Sequence, residues 1–330
     1  MSVTVLLMTL VLDMLVAPFT PTAQPRGNIP RVGVLSPGTL VHAADPKTNL
    51  HGFLRGLHDL GYVEGQNILV ESRFADWQVN RLFALATELT QHQPDLLFTF
   101  TTQAALAAKQ ATSTIPIVVG AAGDLVEMGL VAHLGRPGGN ITGLLYQDID
   151  LAGKRLELLK EGVPSIAEVA VLIKPEGPTD DRVPSQFEAE ARALGLRLRR
   201  VEAREPSALE AAFITIAQSG VEALMILDAS MFNAHRQRIL DFARMHRLPT
   251  VCSARAYAEA GCLIAYAPSL AEMGRRAAAL ADKILKGAKP SDLPVERADR
   301  FTLVVNLKTA QALGITMPPT LLMRADEVIR

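Results

Sequence analysis

Cysteine is nearly missing from this sequence: Cys252 and Cys262 are the only two in 330 residues. That excludes a disulfide-dense scaffold, and no histidine or further cysteine stands at metal-ligand spacing from either. The pair falls in two neighbouring expected strands, where two small buried hydrophobes and one disulfide are both open readings. Aromatics are scarce, at 5 %, and Trp77 is the single tryptophan. Neither sign of charge prevails, with 33 Lys and Arg against 34 Asp and Glu, so the chain carries no electrostatic footprint for nucleic acid. Basic pairs such as Arg199-Arg200 and Arg275-Arg276 read as solvated edges.

The short motifs that carry chemistry are absent too. No G-x-G-x-x-G, Walker A, G-x-S-x-G or H-E-x-x-H occurs. The seven histidines are scattered, and none pairs with a nucleophile at a recognisable spacing. Asp148 and Asp150 lie in a linker and read as a solvated turn. These absences remove the sharp versions of an enzyme reading, and neither a cofactor nor a metal site is expected. One long apolar run exists, at 3–19, interrupted by Asp13 and followed by Pro18, Pro21 and Pro25. A membrane span wants about 20 clean apolar residues. Residues 1–28 therefore read as a signal peptide or N-terminal apolar segment, with no cysteine for a lipid anchor.

What is present is an alternation of strands and helices. Apolar strand patterns at 29–35, 67–74, 95–100 and 115–119 are separated by helical patterns at 49–60, 82–89 and 102–111. The stretch 120–146 organises the rest. It leaves an apolar strand through Gly120, Ala121, Ala122 and Gly123, whose small side chains let something approach the backbone. Asp124 then sits as an N-cap candidate, and Leu125, Met128, Val131 and Leu134 predict a helix stopped by Arg136-Pro137-Gly138-Gly139. The chain then leaves one domain for another. A second series of the same make-up runs from 152 to 260, with strands expected at 168–173, 196–201, 221–227 and 248–252. The C-terminal pieces are too short for a third domain and complete the two sheets already present.

Such an order implies an α/β fold, two doubly wound parallel-sheet lobes whose ligands bind outside the carboxyl ends of the strands. Those ends carry Ser36, Thr101, Thr102, Gln103, Ala121, Ala122 and Asp124 in the first half, with Asp228 in the second.

Residues 129–143, GLVAHLGRPGGNITG, resemble the GLV-x-SLARPGGNVTG signature of a family of ABC-transporter substrate-binding proteins, the group that includes tryptophan- and tyrosine-uptake binding proteins. The resemblance recurs at 104–118, 244–250, 258–266 and 301–329, and departs from the family at 174–178. It implies a type I periplasmic-binding fold with two lobes joined by three crossovers near 142–146, 260–263 and 297–301. The lobes would be 29–143 plus 262–298 and 146–260 plus 301–330. It also implies a small-molecule ligand, permease subunits in the membrane as partners, and a periplasmic location. Under that reading Ser36, Thr101, Thr102 and Gln103 suit a carboxylate. Asp228 either takes an ammonium group or caps a helix, and Asp124 is a cap or a ligand. Tyr146 and Tyr266 either stack on a planar ligand or pack the hinge. Lys174 meets solvent or an acidic ligand, and Trp77 packs a helix start or faces the cleft. A regulator's effector domain and an α/β enzyme are the alternatives. The first is disfavoured because 1–28 is apolar and proline-rich where a DNA-binding helix-turn-helix would stand.

Overall fold

The computed structural model describes residues 29–43, 45–123, 125–145, 151–175 and 182–330. The N-terminal segment 1–28, Asp124, Tyr146, Asp148 and Asp150 lie outside them. Five strands open the fold: β1 (Arg31–Ser36), β2 (Leu69–Phe74), β3 (Leu96–Thr99), β4 (Ile117–Ala122) and β5 (Ile141–Leu145). Five more follow: β6 (Glu168–Ile173), β7 (Arg197–Glu202), β8 (Ala223–Ile226), β9 (Thr250–Cys252) and β10 (Ile264–Pro268). The chain ends through β11 (Glu296–Arg297), β12 (Phe301–Asn306) and β13 (Glu327–Ile329). Two sheets result, ordered β11-β5-β4-β3-β1-β2 and β13-β12-β10-β9-β8-β6-β7.

Alternation along the strands explains why helices cover both faces of each sheet. Val32, Val34, Leu96 and Phe98 point to one face of the first sheet, against the helices Asn49–Asp59 and Leu270–Leu285. Leu35, Leu97, Ile117 and Val119 point to the other, against Leu82–Gln91 and Thr102–Ala111. The second sheet divides in the same way. Val169, Val171 and Ile173 meet the helix Ala152–Gly162, while Ala170 and Leu172 meet Leu209–Gln218 and Arg236–Met245. Strands apolar on both faces are what a parallel sheet buried between helices requires. The exception to parallel pairing is β12, which runs antiparallel to β10.

Two expectations change. The apolar spacing after Gly123 predicted a helix, but residues 125–134 form turns. Gly129 sits at φ +65, and Leu130 and Val131 donate back to the Leu125 carbonyl at 2.8 and 3.2 Å. Leu125, Leu130 and Val131 are buried nonetheless, so the spacing reflects an anchored loop. Residues 262–298 were expected in the first lobe, yet β10 pairs with β9 and β12 in the second sheet. The chain recrosses after Pro268, where Ser269 N donates to Arg300 O at 2.9 Å. It leaves the first sheet again between β11 and β12, where Ala298 N donates to Leu145 O at 3.0 Å. Cys252 and Cys262, left open above, are joined as a disulfide.

Once back on the first sheet, the chain forms the helix Leu270–Leu285, which lies against Asn49–Asp59 with backbones touching. A Cβ on Gly274 would stand 2.0 Å from the Asn49 carbonyl oxygen, and one on Gly52 would stand 2.0 Å from that of Ala271. Buried Asn49 ties the pair to the sheet: its Nδ2 donates to Gly120 O at 3.0 Å and to Leu270 O at 3.3 Å. At the far end Tyr62 Oη donates to Asp282 at 2.9 Å, and burial together with that carboxylate pushes the phenol up to about 12.

The two lobes are also joined by charge. Glu327, on β13 of the second lobe, accepts from Arg255 at 2.8 and 2.6 Å and pairs with Lys47 of the first lobe at 3.2 Å. The Arg255 guanidinium, with help from Lys47, holds the Glu327 carboxyl down at about 2. Arg255, bonded to Glu327 and Glu259, is pushed up.

Gly274→Ala should destabilise the protein by about 1–3 kcal/mol in denaturant unfolding, because the obstructing atom is backbone and cannot swing aside. At an ordinary helix position the same change is stabilising by roughly 0.5–1 kcal/mol, so a gain in stability would show that the helices do not meet this closely. Glu327 contributes stability above its unfolded pKa near 4.5 that is lost as pH falls through about 2. The melting-temperature gap between wild type and Glu327→Gln should therefore be full above pH 4.5 and close towards pH 2.

Candidate ligand-binding cleft

In both sheets the chain reverses direction of growth about its first strand, β1 in one and β6 in the other. The carboxyl ends of β1, β3 and β4 in the first sheet face those of β8 and β9 in the second across a cleft of about 490 Å³. Ser36, Thr101, Thr102, Gln103, Ala121 and Ala122 line it from the first lobe, and Asp228 lines it from the second.

The first-lobe hydroxyls are fixed by the turns they make. Ser36, at the end of β1 and buried, accepts from Gly38 N at 3.2 Å. Thr101 caps the helix Thr102–Ala111 by accepting from Ala104 N at 3.3 Å. Thr102 accepts from Gly123 N at 3.1 Å and so ties the helix start to the end of β4. A hydroxyl that accepts from an amide keeps its own proton to donate. Three such groups beside the positive end of a ten-residue helix form a surface suited to an anionic oxygen. Ala121 and Ala122 provide a floor without bulk.

The second lobe contributes opposite character. Asp228 stands two residues past β8, and its Oδ1 accepts from Asn233 Nδ2 at 3.1 Å. Ser253 follows β9, is 2 % exposed, and its Oγ has no hydrogen-bond partner among the described residues. Arg255 and Glu327 form part of the wall, as does Lys47 opposite them.

Two expected residues do not line the cleft. Tyr266 packs its ring on Phe301, with centroids 5.7 Å apart, and turns towards the core beneath the helix Ala152–Gly162. Its carbonyl accepts from the buried Arg155 Nε at 2.8 Å. Lys174 comes one residue after β6 and is partly buried outside the cleft wall; the strand's alternation sets it with Ala170 and Leu172, away from Ile173. Sequence reasoning missed Ser253, although it follows strand β9 as directly as any residue that was selected. It also missed Lys47, Arg255 and Glu327, whose meeting depends on how the lobes are joined.

Trp77, weighed above between a helix start and the cleft, lines the cleft. It has φ +63 and follows Asp76 at φ +52. A left-handed backbone costs an L-residue roughly 1–2 kcal/mol, and a bulky side chain is an outlier there. Among the described residues no group of three or more His, Cys, Asp or Glu could hold a metal ion, and no helix is long and apolar enough to cross a membrane.

Comparison with known proteins gives this geometry a family. Residues 39–329 match the family model described as ABC transporter substrate binding protein. A tyrosine-binding protein of Clostridioides difficile is 27 % identical over 269 residues, covering 80 % of this chain and 76 % of the relative. Among solved structures, a conserved domain protein from Vibrio cholerae superposes with a TM-score of 0.81 at 27 % identity, over 91 % of this chain and 99 % of that one. An ABC domain in complex with L-Trp from Streptococcus pneumonia has the same TM-score of 0.81 at 25 % identity and the same coverage of 91 % and 99 %. Proteins of this family are extracytoplasmic carriers that bind small molecules and deliver them to ABC permeases, and they are not a class of enzymes. The match over nearly the whole described chain, on a two-lobed fold whose strand ends enclose a cleft, makes this chain a member of the ABC transporter substrate-binding protein family.

Proposed function

We propose that this protein captures a small zwitterion, an amino acid, between its two lobes and presents it to permease subunits in the membrane without making or breaking a bond. The observation that carries this reading is the division of polar character across one cleft, with hydroxyl donors on the first lobe and the Asp228 carboxylate on the second. Removing a zwitterion from water requires partners for both charges. Ser36, Thr101, Thr102 and Gln103 would take the carboxylate, and Asp228 the ammonium group, while Ala121 and Ala122 leave room for the α-carbon. The Clostridioides difficile relative is a tyrosine-binding protein and the structure from Streptococcus pneumonia holds L-Trp, which supports an amino acid over a sugar.

A ligand shifts an open–closed balance only by its differential affinity for the two states. Contacts from both lobes are therefore part of the proposal. The lobes themselves would comprise 29–145 with 270–297, and 152–268 with 301–330. Periplasmic location is part of it too, with 1–28 acting as the export signal. The disulfide between Cys252 and Cys262 supports an oxidising compartment.

Asp228→Ala should weaken binding of L-tyrosine or a related amino acid at least tenfold in calorimetry, since it strands a buried ammonium. The melting temperature should barely move. Unchanged affinity would remove Asp228 from the site. Protein recovered from the periplasm should lack the apolar N-terminus and show no free thiol by intact mass; two free thiols would count against that compartment.

A further inference from the structure

We propose that Trp77 sets ligand choice in this chain: its indole is the wall against which the apolar end of a bound amino acid packs, favouring planar or bulky side chains over small ones. This rests on the amino-acid reading above. The local backbone gives no reason for tryptophan at this position. Residues 75–78 form a turn held by main-chain bonds: Ala75 N to Ser36 O at 2.9 Å, Asp76 N to Gly38 O at 3.0 Å, Trp77 N to Pro37 O at 2.7 Å, and Gln78 N to Ala75 O at 2.9 Å. Arg81 secures Asp76 at 2.8 Å. Any residue but proline can make the main-chain bonds, and at φ +63 glycine would make them with the least strain. An unfavourable backbone geometry retained under the largest side chain points to work done by that side chain.

The indole's surroundings indicate what that work is. It lines the same cleft as Ser36 and Thr101, and Pro37, Phe100 and Leu270 of the first lobe line that cleft as well. The cleft thus joins a polar floor at the strand ends to an apolar flank on the first lobe. A ligand that fills both must have a charged end and a hydrophobic one. Flat rings stack on an indole face with a preference beyond their buried area.

The turn is also tied to the end of β1, which carries Ser36. The hydroxyl that faces the polar end of the ligand and the indole that faces the apolar end are therefore held on one short, hydrogen-bonded unit. Their spacing is fixed before a ligand arrives, so the pocket measures side-chain size from a preset distance. This is preorganisation, and it lowers the ordering cost of binding.

The test compares wild type, Trp77→Gly and Trp77→Phe for binding of L-tyrosine, L-phenylalanine and L-alanine by calorimetry, with thermal melts of each protein. Wild type should bind the aromatic amino acids more tightly than L-alanine. Trp77→Gly should lose about tenfold or more for L-tyrosine and L-phenylalanine. It should keep its L-alanine affinity and its melting temperature, because glycine suits the backbone, and Trp77→Phe should recover most of the loss. As the sole tryptophan, Trp77 should also report L-phenylalanine binding to wild type by a saturable change in emission, with the calorimetric midpoint. Unchanged aromatic affinity in Trp77→Gly, or an equal loss for all three ligands, would overturn the proposal while leaving the amino-acid reading standing. Wild type binding none of the three would instead overturn that reading, and this proposal with it.

Discussion

The first-lobe side of the cleft depends on two helices that meet backbone to backbone at Gly52 and Gly274. Leu270–Leu285 is formed by chain that has already built most of the second lobe, yet it packs on the first. It reaches Asn49–Asp59 closely because Gly52 and Gly274 leave the carbonyls of Ala271 and Asn49 unobstructed. Asn49 then bonds both Gly120 on β4 and Leu270 at the helix start. That single side chain connects the helix pair to the strand whose end, Ala121 and Ala122, floors the cleft. Shifting the helices apart would move the second crossover and the first-lobe floor together. Few surface contacts have such reach. The exposed Arg–Glu and Lys–Glu pairs on the helices contribute roughly 0–1 kcal/mol each.

Against that fixed side, the second lobe is joined by three passages of backbone and one charged cluster. The main-chain bonds that brace the passages are Ser269 to Arg300 and Ala298 to Leu145. Arg276 adds a guanidinium clasp on Glu296, at 3.0 and 2.5 Å, and on Asp299 at 2.8 Å. These residues sit together on the return segments, so a closing motion has to be absorbed between them and the strand ends. The Lys47–Glu327 pair is different in kind. It spans the lobes at the cleft wall and is made only while they lie this close. It is partly exposed, so salt screens it.

Much of this was legible because parallel sheets write plain sequences. Residues 96–99 and 117–122 are apolar on both faces, and the helical patterns at 49–60, 82–89 and 102–111 fall on the helices Asn49–Asp59, Leu82–Gln91 and Thr102–Ala111. The rule that ligands sit past strand ends selected Ser36, Thr101 and Asp228 correctly as cleft residues, and applied evenly it would have selected Ser253. It failed at Lys174 because, among the described residues, the end of β6 does not line the cleft at all; the second-lobe wall comes from the residues after β8 and β9. The destination of 264–268 was not legible at all. A strand pattern says that a segment pairs but not with which sheet, and the choice depends on the seating of the following helix. The turns at 125–134 mimicked a helix because a loop anchored by Leu125, Leu130 and Val131 buries residues at intervals close to helical spacing.

The remaining asymmetry is between residues that serve the fold and the ligand at once and residues that serve only one of them. Thr101 and Thr102 each satisfy a backbone amide and still present a hydroxyl, so replacing them would cost the fold as well as the cleft. Asp228 accepts from Asn233 and faces the cleft, a similar double duty. Trp77 is the opposite case. The main-chain bonds of its turn do not use the indole, and its backbone conformation disfavours any side chain. A residue whose side chain those bonds do not need can vary between related proteins without undoing them. The polar floor is therefore constrained by folding, while the apolar flank is free to follow the solute, and a difference in ligand choice between two such proteins should be sought on that flank first.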